Sequence, residues 1–145
     1  MSTQTELESK LVDPAYLWVL RMWMLRALLR CNGVAKFLGE RRFDDLEVAR
    51  LLGFTDEQIA KYNEPWALKL LLAKLELLDH APPPIPADTT LARNLARLAE
   101  HLALNDVERD ILHFTALQRV QGEFSETLDM AGELAFDLLE VLTYR

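Results

Sequence analysis

Residues 13–33 read Asp13-Pro-Ala-Tyr-Leu-Trp-Val-Leu-Arg-Met-Trp-Met-Leu-Arg-Ala-Leu-Leu-Arg-Cys-Asn-Gly33. A carboxylate just before proline opens a helix, because its oxygen caps the first free N–H groups and proline suits the first turn. Asn32-Gly33 closes it, since both residues tolerate the left-handed backbone on which helices end. The pattern predicts a helix over residues 14–31. Leu17, Leu20, Met24, Ala27 and Cys31 make one apolar stripe, and Trp18, Met22, Leu25 and Leu29 make another. Only Arg21, Arg26 and Arg30 interrupt them. A helix apolar on two sides is either central in a bundle or keeps one side for a partner. This one is too short and too charged to cross a bilayer, which takes about 20 mainly apolar residues.

Working outward, Val34 to Leu38 reads as a short helix, and Asp44 is expected to cap another that carries Leu46, Val48, Ala49, Leu51 and Leu52 to a stop at Gly53. Thr55 and Gln58 form a capping box for a third, through Tyr62. Residues 48–60 thus have the rhythm of a helix-turn-helix. As a DNA reader the segment is poor: Thr55, Asp56, Glu57 and Gln58 stand where base- and phosphate-contacting Arg, Lys, Asn or Gln are needed, and two acids there repel phosphate. Pro65 starts a leucine-rich helix from Trp66 to Asp79, with Lys69, Lys74 and Glu76 left for water.

Residues 80–87 include four prolines within five positions. They cannot be helical and predict a stiff spacer between two halves, 13–79 and 88–145. After Asp88 as cap, Leu91, Leu95, Leu98 and Leu102 recur at helical spacing beside Ala92, Ala96, Ala99 and Ala103, a small-residue row that permits close packing. Asn105 and Glu108 form a second capping box, ahead of Val107, Ile111, Phe114 and Leu117. From Glu123 to the end the chain again reads as helix, weakest at Gly132. No segment alternates as a strand does. The expected fold is all-α: a multi-helix orthogonal bundle in which two helical halves pack together across a Pro-rich linker.

The totals agree with one domain. At 145 residues, 50% hydrophobic and 27% charged, the chain is long enough to bury roughly 68–70% of its extended surface without disulfide or metal. The net charge of -7 argues against a general phosphate-binding surface. Charge is uneven, however: residues 14–42 hold six basic side chains against Glu40, and residues 106–145 hold nine acids against three bases. A single cysteine, Cys31, and a polar, acidic N-terminus point to a reducing, cytoplasmic setting.

The residues offer no recognisable chemistry. No glycine is followed by lysine as in a phosphate-binding loop, and GxGxxG, HExxH and CxxC spacings are missing. His80, His101 and His113 are scattered. Asp44, Asp45, Asp106, Glu108 and Asp110 fall where negative charge favours a helix N-terminus. Cys31 lacks an activating neighbour.

Residues 91–114, with NLARLAE, LN, VERDIL and a closing Phe114, resemble a region that precedes the ATPase core in a group of bacterial AAA ATPases. Phe43-Asp-Asp-Leu-Glu-Val-Ala-Arg-Leu-Leu-Gly-Phe54, the leucine-rich helix and the proline spacer stand in a similar order upstream. The resemblance implies an N-terminal helical domain that recruits substrates or adaptors to a ring-forming motor, with ATP and Mg bound only in a core that this chain lacks, and oligomerisation through that ring. The expected function is therefore non-catalytic protein recognition, without nucleic acid, without stable membrane insertion, and without a cofactor or metal of its own. Trp18, Met22, Leu25 and Leu29 are the candidate partner surface, because their stripe exceeds what one core face requires. The alternatives are a stand-alone helical adaptor, a DNA-binding regulator acting through Arg50 and Lys61, and an enzyme with an unrecognised site.

Overall fold

The computed structural model describes Leu11 and residues 13–131. Asp13 Oδ1 accepts a hydrogen bond from Ala15 N at 2.9 Å and opens a 3₁₀ turn, Pro14–Tyr16, that runs into helix α1, Leu17–Arg30. Asn32 then takes φ 63°, and the chain turns. Helices α2 (Val34–Phe37), α3 (Leu46–Leu51) and α4 (Asp56–Ala60) are short, and α5 (Glu64–His80) is the second long rod. After an irregular proline-rich stretch come α6 (Thr90–His101), α7 (Asp106–Val120) and α8 (Gly122–Ala131). No strand forms among the described residues; an isolated antiparallel bridge joins Leu38 to Phe43. The fold is an all-α multi-helix bundle.

Helix α1 is the axis of the core. It lies between α5 and α8, so nearly every face is covered, and its two apolar stripes are both used in packing. Trp23 shows how: its ring meets Phe114 of α7 at 5.1 Å and Phe124 of α8 at 5.8 Å. A second aromatic cluster seals the α2–α4 region, with Phe43 in contact with Phe37, Phe54 and Tyr62 at 5.1, 4.7 and 4.7 Å. The Tyr62 hydroxyl donates to Gly39 O at 2.6 Å and so holds the α2–α3 loop against α4. Residues 80–87 separate two halves in sequence but not in space: α8 packs against α1, α2 and α3, and one hydrophobic core runs through both halves.

Three local expectations change. Asp45, not Asp44, caps α3, its Oδ1 accepting from Glu47 N and Val48 N at 3.1 Å each. It is the residue directly before the first helical position, with extended backbone, which the cap geometry requires. Thr89 takes the cap position expected of Asp88, accepting from Ala92 N at 2.9 Å, while Asp88 pairs with Arg93 at the surface. On α6 neither row faces inward as a unit: Ala92 and Ala99 are buried and Leu91 and Leu95 half-buried, whereas Ala96, Leu98 and Leu102 are exposed. Alanine at 92 and 99 lets α6 and α7 approach closely, and the contact leaves Leu98 and Leu102 outside it. Both capping boxes, Thr55–Gln58 and Asn105–Glu108, are present with both reciprocal bonds.

Candidate docking cleft

A cleft of about 380 Å³ opens where α1, the α3–α4 turn and α5 meet. Helical spacing brings its parts together. Trp18, Arg21 and Leu25 project from one face of α1 at intervals of three and four residues, and Lys74, Leu77 and Leu78 do the same from α5. Leu52 and Gly53 close the third side. Gly53 has φ +98°, which suits glycine, and its N–H bonds Arg50 O as the chain leaves α3. A carbon added to Gly53 would stand 3.5 Å from Arg21 Nη2 and 3.5 Å from Lys74 Nζ, so the two cationic nitrogens lie within twice that distance of each other.

The electrostatics of this cleft are unusual. Arg21 is 7% exposed, donates from Nε to Leu51 O at 2.6 Å, and lays its guanidinium 4.7 Å from the Trp18 ring centre. Lys74 Nζ lies 5.2 Å from the centre of the Phe54 ring. Backbone carbonyl and aromatic faces partly compensate the two charges, yet neither side chain has an ion pair with a carboxylate among the described residues. Burial pushes the Arg21 pKa down, and burial followed by the Arg21 charge pushes that of Lys74 down. Arginine stays protonated all the same. The result is an apolar recess with two cations at its base, and a rim in which Trp18 is 55% and Leu77 74% exposed.

The structure divides the stripe expected to meet a partner. Trp18 is exposed and Leu25 lines the cleft from a buried position, but Met22 is buried in the core and Leu29 is half-buried against it. The stripe as a whole is therefore not a surface, because α1 is enclosed on more sides than one apolar face accounts for. Lys74, expected to face water, turns instead into the cleft, while Lys69 and Glu76 are exposed. The sequence signal for the site was the placement of Arg21 and Lys74 on otherwise apolar helices.

Elsewhere the side chains are satisfied within the fold. Tyr16, which is buried, has its hydroxyl 2.8 Å from Thr89 Oγ1 and 2.5 Å from His113 Nε2. Burial lowers the His113 pKa, which favours neutral imidazole. The consistent proton order is Thr89 donating to Tyr16 and Tyr16 donating to His113, with Thr89 Oγ1 still accepting from Ala92 N. This chain ties the N-terminus of α6 to the start of α1 and to α7. His80 and His101 are exposed, and Cys31 is buried. Among the described residues no three metal-ligating side chains converge, and no helix is long and apolar enough to cross a membrane. In the helix-turn-helix segment, Arg50 pairs with Glu47 and Asp56, and Lys61 pairs with Glu57, so both basic residues are met locally by acids. Residues 132–145, the remainder of the C-terminal helix expected from sequence, lie outside the described part. Comparison of the chain with protein-family models, with curated proteins and with solved structures finds no match, and the chemistry of the cleft carries the functional reading.

Proposed function

We propose that this chain is a non-catalytic protein-recognition module whose cleft takes a short helical segment of a partner, one that presents a carboxylate between large apolar side chains. The observation that carries this reading is the pair Arg21 and Lys74, two cations in an apolar recess without a carboxylate partner among the described residues. An incoming carboxylate supplies the missing counter-charge, and charge-assisted hydrogen bonds of this kind are shorter and stronger than neutral ones. The exposed Trp18 and Leu77 supply contact area; tryptophan and arginine are the residue types that dominate binding energy at interfaces. The acidic partner segment is also consistent with a protein whose own net charge is -7 but whose residues 14–42, which include α1, hold six basic side chains against one acid.

The sequence resemblance extends the proposal: the module is the N-terminal recognition domain of a bacterial, cytoplasmic AAA ATPase, selecting substrates or adaptors for a motor that carries ATP and Mg elsewhere. The direct test is calorimetric titration of the full chain with an acetylated helical peptide carrying one Glu between Leu and Phe, and with its Gln counterpart. Binding of the Glu peptide should be about tenfold tighter, the equivalent of roughly 1.4 kcal/mol, and Lys74→Glu should abolish the preference. Equal affinity for the two peptides sinks the reading.

A further inference from the structure

We infer that Lys74 is an acylation site, and that acylating it switches the cleft off; the switching part rests on the docking reading above. The four lysines among the described residues differ in setting. Lys61 pairs with Glu57 at the surface, and Lys36 and Lys69 are exposed. Lys74 stands half-buried in the cleft, between the Phe54 ring and the guanidinium of Arg21, with apolar walls beside it. An amine next to a fixed cation in a low-dielectric recess gives up its proton more readily, and it is the neutral amine that attacks carbonyl carbon. The lowered pKa of Lys74 has those two causes, burial first and Arg21 second.

The co-reactant is a small acyl thioester. Lys74 Nζ attacks the thioester carbonyl carbon, the N–C bond forms and the C–S bond breaks. The proton shed by nitrogen ends on the departing thiolate, leaving an amide and a free thiol. The Arg21 guanidinium, at most about 7 Å from Lys74 Nζ, places positive charge near the oxyanion that forms on the way, and the apolar walls flank the acyl chain. The product is a neutral side chain in the same position. It removes one of the two cations that recognise a carboxylate while leaving the shape of the recess nearly intact.

The test treats the full 145-residue chain with S-acetyl-N-acetylcysteamine and follows each lysine by peptide mass spectrometry. At about pH 7.5 Lys74 should acetylate about ten times faster than Lys36 or Lys69, with the advantage narrowing as pH rises toward about 10. A rate at Lys74 no greater than at the exposed lysines overturns the site. No peptide is present in that measurement, so it stands apart from the docking reading. The acetylated protein is then titrated with the Glu peptide. A loss of about tenfold in affinity supports the switch. Unchanged affinity overturns the switch, even where the unmodified chain binds the Glu peptide and the docking reading survives.

Discussion

Lys74→Met should make the protein more stable while weakening its capture of an acidic segment. Arg21 Nη2 and Lys74 Nζ are at most about 7 Å apart, a separation at which two like charges repel by about 2 kcal/mol at an effective dielectric of about 20, and by about 0.6 kcal/mol in water. Because Lys74 is only half-buried, screening brings the estimate toward the middle, about 1 kcal/mol. Against this stands the contact of the ammonium with Phe54, which is worth about 0.5–1 kcal/mol as a cation–π interaction. Methionine replaces much of that contact, since its sulfur also packs well against aromatic rings. Relief of repulsion and of desolvation therefore outweighs the loss. The urea midpoint should rise by about 0.5 M and the thermal midpoint by about 4 °C. The gain should shrink in about 1 M salt, where the screening length falls to about 3 Å. The pH profile gives a second check. The folded-state pKa of Lys74 is depressed, so between that value and its ordinary one the unfolded chain holds the extra proton. Wild-type stability therefore rises with pH across that window, and Lys74→Met lacks the rise. A variant destabilised by more than about 0.5 kcal/mol at all salt concentrations refutes the reasoning, because Lys74 would then be a satisfied structural residue.

Tyr16→Phe keeps the ring but leaves Thr89 and His113 without their shared hydroxyl; two lost hydrogen bonds in a buried setting predict a loss of about 2 kcal/mol, read as a lower urea midpoint. His113 makes the fold acid-sensitive. Its folded pKa lies below the ordinary value near 6.5, so the unfolded chain binds more protons beneath about pH 6.5, and stability measured by urea titration should fall as pH drops through that range. Ala103 closes α6 at φ 54°, with Ala103 N bonded to Glu100 O and Leu104 N to Ala99 O, a pattern that usually carries glycine. Ala103→Gly should raise the thermal midpoint by about 2–4 °C, the equivalent of roughly 0.5–1 kcal/mol.

What the amino-acid order reveals here is set by the range of the interaction involved. The Asp13 cap and the Thr55–Gln58 and Asn105–Glu108 boxes join groups within three residues, and each is legible because no distant partner has a say. The all-α class follows from the same local signals. The inward face of α6 is not local. It takes Ala92 and Ala99 from the alanine row and, in part, Leu91 and Leu95 from the leucine row, a choice set by where α7 approaches. The sequence pattern makes Arg21 and Arg26 interruptions of apolar stripes and leaves Lys74 for water, yet long stems let such side chains run through apolar surroundings and end wherever a neighbouring element permits. Where they end depends on α3 and α5 for Arg21 and Arg26, and on α1 for Lys74. That is why Trp18 alone of the four residues of its stripe is exposed, while Lys74, which periodicity assigns to solvent, lines the cleft.

Helix α1 holds its own control for the functional reading. Arg26 and Arg21 lie five positions apart, both with little exposure, at 3% and 7%. Arg26 is met by Asp79 of α5, with Nη2 3.0 Å from Oδ1, and Arg30 adds a longer contact of 3.8 Å to the same carboxylate. The fold thus places an acid on α5 where a buried guanidinium from α1 needs one. Five residues earlier on α5, the position that faces Arg21 is Lys74. Stability alone favours an acid there, because taking a cation out of water is costly and a second cation adds to the cost. The contrast between one compensated and one opposed arginine on the same helix pair is what the proposed docking of an anion from outside would account for, and the apolar walls with their exposed rim suit, under that proposal, an anion attached to a protein segment better than one free in solution.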